Sequence, residues 1–280
     1  MKRSTSLALF ALLALSFYAF AEKNPTITRL TWWGHAAFQL ETPQGKTLWI
    51  DPWLSNPMNP KKDKAMDLVK SGDFILITHG HFDHVGEAVQ IAKKTKARLV
   101  APFELGNALA KVHGFPADQM GFDTLGNPGG ELTLADGALK VIFTNAIHGS
   151  GLDHPGDKSK TEPAVYGGTP VGYVIKIQNG PTLYDSGDTA YFSDMKWIGK
   201  RYKPDVAILN IGGHFGMEVP DALQAAKDLD ADLTIPQHYA TFPILTQEAK
   251  GFTNGLKKAR LKFKAPKPGE TLIFQGSHLQ

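Results

Sequence analysis

The segment Thr78–His84 limits what this chain can fold into more than any other part of its sequence. It reads Thr-His-Gly-His-Phe-Asp-His and directly follows the apolar run 74–77, which predicts a short buried strand. Imidazole and carboxylate groups bind zinc and similar divalent ions. Because side chains alternate along an extended chain, His79 and His81 point the same way and can bind one ion. The aspartate and the last histidine come where the chain turns into a helix, and they can reach a second ion.

The chain contains no cysteine, so any metal must be held by His, Asp and Glu, and a cysteine nucleophile is excluded. A solvated histidine-rich loop is the alternative interpretation of the segment. Such a loop has no reason to carry an embedded aspartate at the end of a buried strand, and we therefore expect a metal site. The net charge of only +3 argues against a nucleic acid partner, whose binding needs a concentrated basic surface.

Residues 1–21 have the layout of a secretory signal peptide. Two basic residues precede the apolar run 7–20, and the small residues Ala19 and Ala21 stand at the cleavage position. This pattern predicts cleavage near Ala21 and a periplasmic or secreted protein whose residues 22–280 form a single domain. An uncleaved N-terminal anchor is the alternative.

Apolar runs and alternating patterns predict strands throughout the chain, with helices between them. The predicted strands are residues 26–33, 36–42, 46–50, 74–77, a strand from 99, 131–135, 138–146, 171–177, 206–211, 233–236 and 271–274. The predicted helices begin near Val85, span 222–229 and follow a cap at Thr246. Residues 150–168 are rich in turn formers and predict a long loop of the kind that often carries function. The pattern favours an α/β protein with two packed sheets covered by helices, although a doubly wound parallel sheet fits it too.

The pattern T-H-x-H-x-D-H-x-G resembles the signature of the metallo-β-lactamase superfamily. Within that superfamily the chain is similar to metal-dependent hydrolases related to ascorbate-6-phosphate lactonase and, more distantly, to N-acylphosphatidylethanolamine phospholipase D. The likeness covers about residues 28–275, and four further segments carry it: Trp33–Phe38, Ile50–Pro52, Leu183–Thr189 and Ile235–Tyr239. The resemblance implies a four-layer αββα sandwich with the metals at one edge of the two sheets.

The resemblance also implies two divalent metal ions, with zinc favoured and manganese as the alternative. The seven implied ligands are His79, His81, Asp83, His84, His148, Asp188 and His238. Among them Asp188 is implied to bridge both ions. Asp185 is a competitor by residue type, but it lies too early in the matched segment.

Two divalent ions, two aspartates and a bridging hydroxide would leave one net positive charge. Such a centre favours an anionic substrate or a developing oxyanion, and metal coordination can lower the pKa of water to about 7. We therefore expect a metal-bound hydroxide to hydrolyse a small, anionic ester, lactone or phosphoester without a protein nucleophile. Because true β-lactamases of the superfamily lack a histidine at the position of His84, β-lactam hydrolysis is not expected as the main activity.

Besides the metal ligands Asp83 and Asp188, two residues are candidates for catalysis. His214 would be an acid or a substrate contact, and Tyr239 would donate to an oxyanion, while a structural role is the alternative for both. Asp51 would accept the free N–H of a ligand histidine, unless it only forms the turn before a proline. His35 would support the site or contact the substrate, unless it is a core histidine.

Two alternative functions remain open from the sequence. One is a phospholipid-directed phosphodiesterase, which would need an apolar entrance formed by Phe192, Met195, Trp197 and Phe242. The other is a metal-dependent binding protein without activity. A small-molecule substrate is the favoured partner, a membrane lipid is possible but not favoured, and an oligomer is allowed.

Overall fold

The computed structural model describes residues 26–157 and 161–280, so the predicted signal peptide 1–21 lies outside the described residues. The strands are β1 (Ile27–Trp32), β2 (Phe38–Glu41), β3 (Thr47–Ile50), β4 (Phe74–Leu76), β5 (Arg98–Pro102), β6 (Leu125–Gly126), β7 (Glu131–Leu134), β8 (Leu139–Asn145), β9 (Gly151–Leu152), β10 (Val165–Tyr166), β11 (Val171–Ile177), β12 (Thr182–Asp185), β13 (Val206–Asn210), β14 (Leu233–Gln237), β15 (Thr271–Gln275) and β16 (His278–Leu279). The α-helices are α1 (Ala65–Leu68), α2 (Phe82–Val85), α3 (Ala88–Thr95), α4 (Phe103–Ala108), α5 (Met195–Tyr202), α6 (Val219–Leu229) and α7 (Lys250–Lys258).

These strands form two large sheets and one small ribbon. The first sheet has the order β16-β15-β1-β2-β3-β4-β5-β6, and the second has the order β14-β13-β12-β11-β8-β7. Each sheet is antiparallel at one end and parallel at the other, because β3, β4 and β5 run parallel in the first sheet and β12, β13 and β14 run parallel in the second. The strands predicted at residues 131–135 and 138–146 form the antiparallel hairpin of β7 and β8.

The two faces of the first sheet pack against different layers. Phe74 and Leu76 of β4 belong to the core that this sheet shares with the second sheet. Ile75 and Ile77 instead pack with the apolar residues of α3 and α4 in a separate core. Because neighbouring side chains of a strand point to opposite faces, a continuous apolar run is what a strand buried on both sides requires.

On the second sheet, α6 packs against β13 and is flanked by α5 and α7. The apolar stripe of α6, including Ala222, Ala225 and Leu229, is fully buried in the same core as the strands. The chain therefore has the four layers αββα that the resemblance implies. The alternative of a doubly wound parallel sheet is wrong, since two sheets face each other.

Three local predictions need correction. The helix predicted from Val85 is broken, because Gly86 adopts a φ of +38° and a side chain there would collide with the backbone of Trp53. The last helix begins at Lys250 rather than after a cap at Thr246, whose N–H donates to the carbonyl of Gly212 instead. The predicted loop 150–168 contains the short ribbon of β9 and β10.

Within residues 26–157 and 161–280, no helix is long and apolar enough to cross a membrane.

Candidate metal centre

All seven predicted ligands lie just beyond the carboxyl ends of strands. The segment with the first four follows β4, and His148 follows β8, Asp188 follows β12 and His238 follows β14. β4 belongs to one sheet, and β12 and β14 belong to the other. The segments that follow these strands meet at one edge of the sandwich. Ligands collect at such edges because the loops there leave the sheet side by side.

Three histidines form the first of two groups, which we call group 1. The Nε2 atom of His79 lies 2.9 Å from Nδ1 of His81, and Nε2 of His148 lies 3.2 Å from the same atom. Three ring nitrogens this close cannot all carry protons. Their lone pairs converge as they would around a shared cation.

Group 2 contains Asp83, His84 and His238, which are buried. The Nε2 atoms of His84 and His238 have no hydrogen-bond partner although both are buried, and Oδ1 of Asp188 is equally unpartnered. Buried polar atoms without a partner are costly and need an explanation. A cation ligated by these side chains would supply that explanation, so the residues present fit such an ion.

Asp188 lies between the two groups. Its Oδ2 atom is 3.7 Å from Nε2 of His148 in group 1 and 2.9 Å from Nε2 of His238 in group 2. Nε2 of His84 is 3.4 Å from the same oxygen. This position suits a carboxylate that bridges two ions.

The pKa values of the cluster favour metal binding. Burial lowers the pKa of His148 to about 4, and burial together with the neighbouring His84 holds the pKa of His79 well below its usual range. These imidazoles are therefore neutral and keep their lone pairs at neutral pH. Although burial opposes it, the carboxylates of Asp188 and Asp51 hold the pKa of His84 well above its usual range. A divalent cation would take the place of that proton.

Asp51 fixes the orientation of ligands from both groups. Its Oδ2 atom accepts the Nδ1–H of His84 at 2.7 Å and the hydroxyl of Thr78 at 2.7 Å. The hydroxyl oxygen of Thr78 in turn lies 3.0 Å from Nδ1 of His79. Both histidines therefore turn Nε2 toward the cluster. The sequence suggested Asp51 for this bond, but it did not suggest Thr78, whose residue type is too common to signal such a role.

His35 is buried against group 2. Its Nε2 atom lies 3.0 Å from Oδ2 of Asp83, and its Nδ1 atom lies 2.6 Å from the hydroxyl of Thr241. Burial and the neighbouring His238 lower the pKa of His35 to about 3, so the ring is neutral. A neutral ring must donate to the carboxylate from Nε2 and accept from Thr241 at Nδ1. No pattern in the sequence indicated this role for Thr241.

Asp185 does not join either group. Its Oδ1 atom accepts from Nε2 of Gln237 at 2.9 Å and from the N–H of Gly187 at 3.0 Å. Burial, with the nearby carboxylate of Asp51, raises the pKa of Asp185 to about 7. Asp185 thus lies behind the centre and supports β14 rather than facing the cluster.

The two other candidates for catalysis lie apart from the cluster. The ring of Tyr239 stacks on Trp32 with 5.5 Å between centroids, and burial raises the pKa of its hydroxyl to about 12. His214 is exposed, and its ring contacts Phe215 edge-on at 4.5 Å. Neither Tyr239 nor His214 lines the cavity described next.

A cavity of about 420 Å³ opens onto the centre. Five of the seven candidate ligands form its floor: His81, Asp83, His148, Asp188 and His238. Its walls are Phe82, Gly151, Asp153, Ala164, Phe215, Phe242 and Ile244. Of the apolar entrance predicted for a lipid-directed enzyme, only Phe242 is found here. Met195, the first residue of α5, is buried, and Phe192 and Trp197 line a separate depression beside β8, so that prediction is wrong for these three residues.

Comparisons with known proteins agree with this fold and this cluster. The model of the β-lactamase superfamily domain matches residues 46–239, which include all seven candidate ligands. A UPF0173 metal-dependent hydrolase of Thermodesulfovibrio yellowstonii is 43% identical over 250 residues, which are 89% of this chain and 92% of that protein. A UPF0173 metal-dependent hydrolase of Myxococcus xanthus is 44% identical over 87% of this chain and 82% of its own length.

Solved structures give the same result. Igni18, a metallo hydrolase from the archaeon Ignicoccus hospitalis, superposes with a TM-score of 0.75 at 34% identity over 89% of this chain and 99% of its own. An isothiocyanate hydrolase from Delia radicum gut bacteria shares the fold, with a TM-score of 0.66 at 23% identity over 89% of this chain and 99% of its own. The closer likeness to ascorbate-6-phosphate lactonase stays a prediction. The chain belongs to the metallo-β-lactamase superfamily and, within it, to the UPF0173 metal-dependent hydrolases.

Proposed function

We propose that this chain is an exported hydrolase that binds two divalent metal ions and cleaves a small ester, lactone or phosphoester. The observation that carries the proposal is the pair of ligand groups joined by Asp188, with unpartnered ring nitrogens facing it from His84 and His238. A protein that only bound metal would need these groups, but it would not need a cavity that opens onto them.

Zinc is the metal we favour, because imidazole-rich sites suit it, and manganese is the alternative because group 2 adds carboxylate oxygens. Two such ions, when bound, supply hydroxide at neutral pH and polarise the oxygen of the bond to be cleaved.

The side chains of this protein have three tasks in the proposed reaction. Asp51 holds His84 directly and His79 through Thr78, so that both present the correct nitrogen. His35 holds Asp83, and although burial opposes it, this hydrogen bond keeps the pKa of that carboxyl below its usual range. Asp83 therefore stays ionised as a ligand. The apolar walls of the cavity keep bulk water away from the reacting bond.

The proposal is tested by metal analysis and by substitution of one ligand. We expect about two ions per purified chain, and we expect His81→Ala to lose one ion and more than about a hundredfold in kcat/KM on any ester or phosphodiester that the chain hydrolyses. His278→Ala, at an exposed position of β16, is the matched control and keeps both. A chain without stoichiometric metal, or a His81→Ala variant with full activity, contradicts the proposal. Stoichiometric metal without turnover of any lactone, ester or phosphoester favours the binding protein instead.

Export is tested separately. We expect the chain recovered from cells to begin after Ala21 and to be found in the periplasm or the medium, as the basic and apolar pattern of residues 1–21 suggests. N-terminal sequencing of the recovered chain measures this. A chain that keeps residues 1–21 and sediments with membranes would support the uncleaved anchor.

A further inference from the structure

We propose that the part of the substrate beside the scissile bond is an uncharged apolar group, such as an aryl or short alkyl chain. It would be held by an apolar wall, which we define as Phe82, Phe215, Phe242 and Ile244. The inference rests on the proposed function, because it takes the cavity over the metal centre as the substrate site.

The exposure of the apolar wall is the first observation. Phe82 is 49% exposed, and Phe215 and Ile244 are each 55% exposed, although all three surround a polar centre. Large apolar side chains that cluster in the open have a free-energy cost that a bound apolar group removes. They come from three separate segments of the chain, so their meeting is a property of the fold.

The apolar wall is also held in place before any substrate binds. Phe242 stacks on Trp53 with 5.6 Å between centroids and 12° between the ring planes. Trp53 in turn contacts Phe82 edge-on at 5.6 Å, and His35 contacts Phe242 edge-on at 5.8 Å. Since these rings already support one another, little side-chain freedom remains to be lost on binding.

The charge of the described cavity lining disfavours an anionic tail. Among the described residues that line it there is no lysine or arginine, and the one charged side chain besides the candidate ligands is the acidic Asp153. A carboxylate or phosphate on the far part of a substrate would find no cationic partner among these described residues, whereas the apolar wall would contact an apolar group. The described lining therefore favours an apolar group over a second anionic group of the substrate.

Two esters that differ only at the far end test the inference. Methyl 3-phenylpropanoate and monomethyl succinate present the same reacting group, with a phenyl ring in one and a carboxylate in the other. We expect the metal-loaded chain to hydrolyse the phenyl ester with a kcat/KM about tenfold higher or more. Equal rates, or a preference for the succinate ester, overturn the inference.

Variants of the apolar wall sharpen this test. Because Phe215 and Ile244 are half exposed, Phe215→Ala and Ile244→Ala should fold normally, and we expect each to lower kcat/KM for the phenyl ester about tenfold and to leave the succinate ester unchanged. Ile244→Lys should raise kcat/KM for the succinate ester. Phe122→Ala, at an 88% exposed ring outside the cavity, is the control and changes neither. A loss that is the same for both esters overturns the inference.

A binding measurement separates this inference from the proposed function. The ketone 4-phenyl-2-butanone cannot be hydrolysed, and levulinate is its counterpart with a carboxylate. We expect calorimetry to give at least tenfold tighter binding for the phenyl ketone, with and without metal. If the ketone binds selectively but no ester is cleaved, the proposed function fails and the inference stands. If esters are cleaved but the ketone binds no tighter than levulinate, the inference fails alone. Binding to phosphatidylethanolamine vesicles that Phe215→Ala abolishes would also overturn it, because the apolar wall would then serve a lipid surface.

Discussion

Group 1 and group 2 differ in composition and in burial. Group 1 consists of imidazoles alone, and two of its members, His81 and His148, are partly exposed at the cavity. Group 2 is more buried, although Asp83 and His238 also reach the cavity, and it includes the carboxylate of Asp83, which is itself held by His35. Charge and rigidity of the ligands raise the affinity of a site for a divalent ion. This difference indicates that the two proposed ions should not be equivalent: group 2 should hold its ion tightly, and group 1 should exchange its ion more readily.

The largest effect is expected at Asp188, because this residue lies beside both groups. Asp188→Asn removes the shared charge, so we expect it to lower the content of both ions and to reduce kcat/KM by more than about a hundredfold. Metal analysis and ester hydrolysis measure this. Asp123→Asn, which removes an exposed partner of Arg98, is the control and should change neither value. Loss of only one ion would mean that Asp188 belongs to a single group.

Asp51 should give the next largest effect. It contacts His84 of group 2 and reaches His79 of group 1 through Thr78. Asp51→Ala should therefore lower the affinity of the chain for both ions by about 10–100-fold. Competition with a chromogenic chelator measures the two affinities. Asp51→Asn keeps one acceptor oxygen and should recover part of the loss. A loss of affinity for only one ion would contradict this prediction, because Asp51 would then support a single group.

Protonation of Asp185 should make the unfolding free energy of the chain depend on pH. The pKa of Asp185 is raised to about 7 in the folded chain. Between about pH 4 and pH 7 the folded chain therefore keeps a proton that the unfolded chain has lost. Stability therefore falls as pH rises through this range. Relative to Asp185→Asn, the metal-free chain should lose about 1.4 kcal/mol of unfolding free energy between pH 6 and pH 8. Denaturant titrations at both pH values measure it, and parallel pH profiles of the two chains would contradict it.

Chelation should reveal the difference between the groups directly. We expect the ion of group 1 to leave at a chelator concentration about tenfold lower than the ion of group 2. Quantifying the remaining metal after dialysis at graded chelator concentrations tests this. Release of both ions in one step would show that burial and the extra carboxylate make no difference.

Substitution of Thr241 should give the smallest loss of metal affinity, and this loss should be limited to group 2. Thr241→Val removes the hydroxyl that donates to His35, which lies against Asp83. We expect a loss of a few fold in affinity, about tenfold at most, for the ion of group 2 and none for the ion of group 1. The same chelator competition measures both. An equal loss at both groups would contradict the division between them.

The ligands of residues 79–84 could be predicted from the sequence because they follow the end of a strand, whereas His148, Asp188 and His238 are implied by the resemblance to the metallo-β-lactamase superfamily. An apolar run such as 74–77 indicates where a strand ends, and a polar side chain directly after it must lie at the edge of a sheet. The break at Gly86 could not be predicted, because it depends on how closely the backbone of Trp53 approaches in the folded chain.

The supports and the apolar wall could not be predicted for a related reason. Thr78 and Thr241 are common residues whose role depends on a histidine that the fold brings near. Phe82 stands at a variable position of the motif, and Phe215 and Ile244 lie in loops far from it in the sequence. No local pattern marks such residues, since only the tertiary structure decides which loops face one cavity.

The hydrogen bond between His35 and Thr241 joins residues that are 206 positions apart in the chain. During synthesis His35 is made before its partner Thr241, and His238 is made just before that partner. Group 2 cannot be completed before the chain has been made as far as residue 241, so the proposed set of ions could only be acquired after that point. A chain that crosses a membrane while it is still being made would therefore take up its metal from the compartment in which it arrives.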